Sequence, residues 1–193
     1  MGRLVYTGIT SLDGYIADES GSFDWSAPDD EVHTFINDQE RAFGTYLYGR
    51  RLYDVMVAWE TMDAEPDQPE PIREYTRIWK AAEKIVFSST LQEVSSGRTR
   101  IERVLDPDAV RALKRESTTD LAIGGAELAG HALVAGLVDE VRLFVSPVIV
   151  GGGTRLLPAG LRLDLRLVDE RRFDNGVVYA AYTTADGSGQ PII

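Results

Sequence analysis

Short apolar runs, each closed by glycine, serine or an acid, alternate along this chain with segments whose apolar residues recur at helical spacing. Residues 3–10 alternate like a strand and break at Ser11-Leu12-Asp13-Gly14, a tight-turn signature, before Tyr15-Ile16-Ala17 resumes an extended path. Residues 18–30 read as an irregular acidic loop with an exposed Trp25. Pro28-Asp29-Asp30 then opens a helix, since proline and acids suit a first turn and its dipole, and Val32, Phe35, Ile36 and Phe43 supply its apolar face. Residues 45–48 form a short strand, and a helix runs from Gly49 onward over about 50–59. Residues 63–71, acidic and proline-rich, read as a surface loop, and 72–82 as a helix. Strands follow at 84–88 and 100–104, then a helix over 107–116 with Asp106 as its N-cap. Strands at 121–124 and 138–145 flank a helix over 126–135. Finally 163–173 and 177–184 pair as a hairpin through Asp174-Asn175-Gly176.

This alternation predicts an α/β fold: a mainly parallel sheet covered by helices on both faces, with the closing hairpin adding antiparallel strands at one edge. No internal repeat is visible. At 193 residues and 44% hydrophobic content, the chain supports one core, hence one domain over 1–184 and an unstructured tail over 185–193. A net charge of −11 argues against nucleic acid, which needs basic surfaces. No run approaches the ~20 apolar residues of a membrane span. The N-terminus reads directly as a strand rather than a signal peptide, so the expected location is cytoplasmic. Cysteine is absent, and His33 and His131 lack ligand spacing, so no metal site is expected.

In sheets of this kind ligands sit beyond the carboxyl ends of the strands, and three motifs fall there. Gly124-Gly125 ends an apolar run before the helix that includes Ala126, Glu127 and Leu128, where glycine lets a phosphate approach backbone N–H groups or else makes a tight turn between a strand and a packed helix. Gly49-Arg50 offers an N–H and a forked guanidinium to phosphate oxygens, or else a helix start with a solvated arginine. Ser88-Ser89 can bind a 2′-phosphate or cap the backbone locally, with Arg98 or Arg100 assisting. The chain has no G-x-G-x-x-G fingerprint. Asp30, near Trp25 at a helix start, is a candidate to hydrogen-bond and protonate a nitrogen heterocycle, with Asp29 and Glu31 as ordinary first-turn alternatives. His33 lies one turn on and faces either the same cleft or solvent.

Together, Ser11 to Ala17, Tyr48-Gly49-Arg50, Val86-Phe87-Ser88, Gly124-Gly125 through Leu128, Leu137-Val138-Asp139-Glu140, Pro147 and Gly151-Gly152-Gly153 resemble the dihydrofolate-reductase-like superfamily. The closer resemblance is to stand-alone relatives of the reductase domain of the riboflavin-biosynthesis deaminase–reductase. It implies a three-layer fold, a homodimer, and NADPH lying across the strand ends. Gly49, Arg50, Ser88 and Ser89 match phosphate-holding positions, Gly124, Gly125, Ala126, Glu127 and Leu128 the helix start under the pyrophosphate, and Ile16 a residue near the nicotinamide. Trp25, Pro28 and Asp30 follow the order of the reductases' substrate site, with Asp30 catalytic. The implied activity is hydride transfer to a small pterin- or pyrimidine-like heterocycle; the rivals are a non-catalytic dinucleotide-binding sensor and a homodimeric interaction domain. Two departures concern the substrate: Leu52-Tyr53 stands where dihydrofolate reductases have a threonine, and Ile123 where riboflavin-pathway reductases carry a glutamate.

Overall fold

The structure, a computed structural model, describes residues 1–62 and 67–184. The expected tail and the first part of the 63–71 loop lie outside the described residues. Among the described residues ten strands and five α-helices follow in order: β1 (Leu4–Ser11), β2 (Tyr15–Ala17), α1 (Asp30–Glu40), β3 (Phe43–Gly49), α2 (Arg50–Met56), α3 (Glu70–Ala81), β4 (Glu83–Phe87) and β5 (Thr99–Glu102). Then come α4 (Pro107–Glu116), β6 (Asp120–Gly124), α5 (Ala126–Val134), β7 (Glu140–Ser146), β8 (Thr154–Arg155), β9 (Leu165–Arg172) and β10 (Val178–Thr184). Eight strands make one sheet in the order β5-β4-β3-β6-β1-β7-β10-β9. The first six are parallel, and β10 and β9 add antiparallel strands at one edge. This is the three-layer α/β architecture that the hydrophobic pattern implies.

Strand alternation sorts the core into two faces. Leu4 and Tyr6 of β1 pack with Val110 of α4 and Leu128, Ala132 and Leu133 of α5 on one side. Val5, between them, faces Tyr53 of α2 and Tyr75 and Trp79 of α3 on the other. Further along that second face, Val32 of α1 packs with Phe144, Phe173 and Tyr179. α1 carries the predicted cap, the Asp29 carboxylate accepting from the Val32 N–H at 2.9 Å.

Four details differ from the sequence expectation. Phe43 begins β3 instead of continuing the α1 face, because the helix ends at Glu40 and the chain then pairs with β6. The helix expected over 50–59 ends at Met56 and tightens into a 3₁₀ turn over Val57–Glu60. A small second sheet, β2 with β8, was not anticipated. Trp25 belongs to a 3₁₀ turn, Asp24–Ser26, and is half-buried rather than exposed.

Candidate functional site

Two helix starts meet at neighbouring strand ends. Tyr48 of β3 registers with Gly124 of β6, so Gly49 and Gly125 turn side by side into α2 and α5. Gly125 has a φ of +92°, and a Cβ there would stand 3.4 Å from the Gly49 nitrogen. A Cβ on Gly124 would come within 2.4 Å of Leu52 Cδ2. Glycine is therefore favoured at Gly125 by its positive φ, while a Cβ on Gly124 would have to displace the end of the Leu52 side chain. Neither helix has a side-chain cap. In α5 the first intrahelical bond is from the Ala129 N–H to the Gly125 carbonyl, which leaves the N–H groups of Ala126, Glu127 and Leu128 without helical acceptors. Glu127 is exposed and Leu128 belongs to the core, so neither apolar nor acidic bulk replaces these donors by a cap. Such a paired start favours an anion through partial positive charge and directed N–H groups.

The flanking turn after β4 is braced locally. Ser88 Oγ accepts from the N–H groups of Thr90 at 3.3 Å and Leu91 at 3.0 Å, the local capping role, while its hydroxyl hydrogen is not used by either bond. Ser89 is exposed. Arg50 donates to Thr90 Oγ1 at 2.6 Å and lies 3.6 Å from Asp54, half-exposed above this turn. Arg103, which sequence reading did not single out, donates to the carbonyls of Ser88 at 3.0 Å and Leu91 at 2.6 Å. Arg98 does not join the group: the Lys84 N–H bonds its carbonyl at the opposite end of the sheet, and its guanidinium pairs with Glu83. Arg100 pairs with Glu102.

Ile16 packs against the α5-side core from the β2 segment, which is latched by the glycine-rich loop after β7. Asp13 accepts from the Gly151 N–H at 2.8 Å and the Val150 N–H at 3.2 Å. The Ser11 hydroxyl and these N–H groups hold the Asp13 carboxyl below its ordinary range. A Cβ on Gly153 would stand 2.1 Å from the Ala17 carbonyl oxygen, so this glycine serves a chain-to-chain contact.

On the α1 side of the sheet lies a cavity of about 210 Å³. Its apolar walls include Ile9, Val32, Phe144 and Val177, with Trp25 and Pro28 closing one side. Ser26, Ser146 and Asn175 are its polar groups. Among the described residues the Trp25 indole N–H, which is buried, has no partner. Asp30 does not line this cavity; it is exposed at the first position of α1. Among the described residues its carboxylate has no hydrogen-bond or ion-pair partner, whereas Asp29 caps the helix and Glu31 holds Arg171 at 2.7 Å. His33 faces neither the cavity nor solvent. Its ring is buried 6.0 Å from that of Trp59 and 5.7 Å from that of Tyr75, and burial pushes its pKa down.

β1 joins the two halves, with β6 on one side and β7 on the other. Thr7, Gly8 and Ile9 remain partly exposed although β1 is flanked on both edges, which marks a gap in the cover of the sheet. Thr7 shares a face with Ile9, and its buried hydroxyl has no partner among the described residues. Neither Thr7 nor Ser146 carries a local sequence signal, since an isolated hydroxyl in a strand is ordinary.

The RibD C-terminal domain family matches residues 3–179 of the chain. Over 185 residues the chain is 31% identical to the uncharacterized protein YyaP of Bacillus subtilis, covering 93% of this chain and 94% of that one. A Shewanella sp. PV-4 structure named for riboflavin biosynthesis aligns with a TM-score of 0.74 at 23% identity, over 95% of this chain and 99% of the other. Dihydrofolate reductase from Enterococcus faecalis, complexed with NADP(H) and RAB-propyl, aligns with a TM-score of 0.61 at 15% identity, over 96% and 98%.

Proposed function

Because the chain belongs to the RibD C-terminal domain family, we propose that it is an NADPH-dependent reductase acting on a C=N or C=O bond of a small pterin- or pyrimidine-like heterocycle. The observation that carries this reading is the juxtaposition on β1: two uncapped helix starts on one side and a cavity on the other. The site fits a dinucleotide, because Gly125 turns at a positive φ beside Gly49 and the N–H groups of Ala126, Glu127 and Leu128 are left for an anion. On this reading those donors, with Gly49 and Arg50, hold the phosphates, Ser88 and Ser89 serve the 2′-phosphate, and Ile16 flanks the nicotinamide. Bound there, the cofactor supplies hydride. Trp25 orients the substrate ring and helps exclude water, while Asp30 or a water it positions supplies the proton. The setting is cytoplasmic; among the described residues no helix is long and apolar enough to cross a membrane.

Tryptophan-fluorescence titration tests the cofactor. Micromolar NADPH binding with much weaker NADH binding is expected, and Arg50→Ala should weaken NADPH by about tenfold, the worth of one charge-assisted contact. No binding of either dinucleotide refutes the reading. One observation favours the rival sensor: Asp30 lies outside the cavity lining. Steady oxidation of NADPH with an added pyrimidine or pterin excludes that rival. We also propose a homodimer, supported by the edge strand β9, which leaves Leu165, Leu167 and Val168 exposed. Sedimentation should return twice the 21.3 kDa chain mass, and a monomer at micromolar concentration removes the proposal.

A further inference from the structure

Lining, rim and size restrict what the cavity beside Trp25 accepts. Its polar groups, Ser26, Ser146 and Asn175, are uncharged, and no lysine, arginine, histidine or carboxylate is among the described residues lining it. A phosphate or carboxylate buried there would lack the paired cation that offsets its desolvation. The rim has the opposite sign. Adjacent in sequence to lining residues stand Asp24, Asp29, Glu31 and Asp174, with Asp30 between two of them, all exposed. The neighbouring cation, Arg171, is already engaged: it pairs with Glu31 at 2.7 Å and lies 4.7 Å from the Phe173 ring centre. A cavity of about 210 Å³ also falls below the roughly 300–1,000 Å³ of drug-sized ligand sites.

We infer that this cavity takes an uncharged, amino-bearing heterocycle of one or two rings, with neither a phosphate nor a carboxylate tail. The walls match the faces of a planar ring, and Asn175 and the serine hydroxyls match its amino and carbonyl edges. The acidic rim repels anionic tails before they enter. The ring's role as hydride acceptor rests on the reductase reading, but its chemistry is tested by binding alone.

The experiment is calorimetry on the full chain without dinucleotide, using 2-aminopyrimidine, an aminopyrimidine riboside and the 5′-phosphate of that riboside. The two uncharged probes should bind, and the phosphate at least tenfold more weakly than its riboside. Equal or tighter binding of the phosphate, or no binding of the uncharged probes, overturns the inference. Ser26→Arg places a cation in the lining and should tighten the phosphate at least fivefold while leaving 2-aminopyrimidine within twofold; an unchanged phosphate affinity also counts against the cavity as the site. NADPH binding on the same sample separates the two claims. Uncharged-ring binding without NADPH binding removes the reductase and keeps the cavity, and NADPH binding with phosphate preference does the reverse.

Discussion

The two ends of the central sheet are built from the same strands and treat their polar groups in opposite ways. At the amino ends, Arg3 joins Asp120 at 2.5 Å and Glu140 at 2.6 Å, and Glu140 also holds Arg142 at 2.6 Å, with both members of that last pair nearly enclosed and Arg142 Nη1 the exception that finds no partner among the described residues. Beside them the Lys84 ammonium donates to the carbonyls of Trp79 and Ala82, and Tyr46 donates to the buried Glu40 at 2.8 Å. At the carboxyl ends, helix starts go uncapped, the Thr7 hydroxyl and Trp25 indole find no partner among the described residues, and β1 is incompletely covered. Polar groups satisfied within the chain hold a fold together; polar groups left over specify what the fold is waiting to bind.

The sharpest way to break the contrast is Glu140→Ala. Removing the partner of an enclosed Arg142 should cost about 3–5 kcal/mol in denaturant unfolding, while the folded variant keeps its NADPH affinity. A parallel loss of NADPH affinity would show that the ends are not separable. The next effect is pH-dependent. Burial, opposed by the Tyr46 hydrogen bond and the Arg142 charge, pushes the Glu40 carboxyl from 4.5 up to about 7. Between those values the folded chain keeps a proton that the unfolded chain has lost, so stability should fall as pH rises through this window and level off above 7. The drop is at most about 3 kcal/mol, and Glu40→Gln should abolish it. Stability curves that stay parallel for the two proteins would contradict this. The third effect lies at the other end: Asp30→Asn should lower kcat about 100-fold without moving the unfolding midpoint. A shifted midpoint, or unchanged turnover of NADPH with a pyrimidine or pterin, would recast Asp30 as an ordinary first-turn acid.

Local signals carried much of this molecule. The α4 boundaries follow from Asp106 and Pro107, and the β9–β10 turn from Asn175-Gly176. Gly49 and Gly124-Gly125 proved to be adjacent because each ends a parallel strand at the same side of one sheet. Phe43 shows where local reading stops. It continues the helical spacing of Ile36, yet it also opens a strand, and only pairing with β6 decides between them. The β2–β8 sheet was invisible because two residues of β8 have no pattern of their own. The cavity assembles Ile9, Trp25, Phe144 and Asn175 from distant parts of the chain, so no window of sequence contains it. Trp25 sits among acids and reads as solvated, but its position is set by β1 and α1.

The Asp13–Gly151 latch also has a meaning for synthesis. The segment bearing Ile16 is fastened by backbone N–H groups made 138 residues later, and β1 finds its neighbours only in β6 and β7. At roughly 5–20 residues per second on the ribosome, the first strand waits on the order of 10 s for them. During that interval the strand destined for the centre of the sheet has two open edges, so chaperone dependence of this protein should be set by its earliest residues.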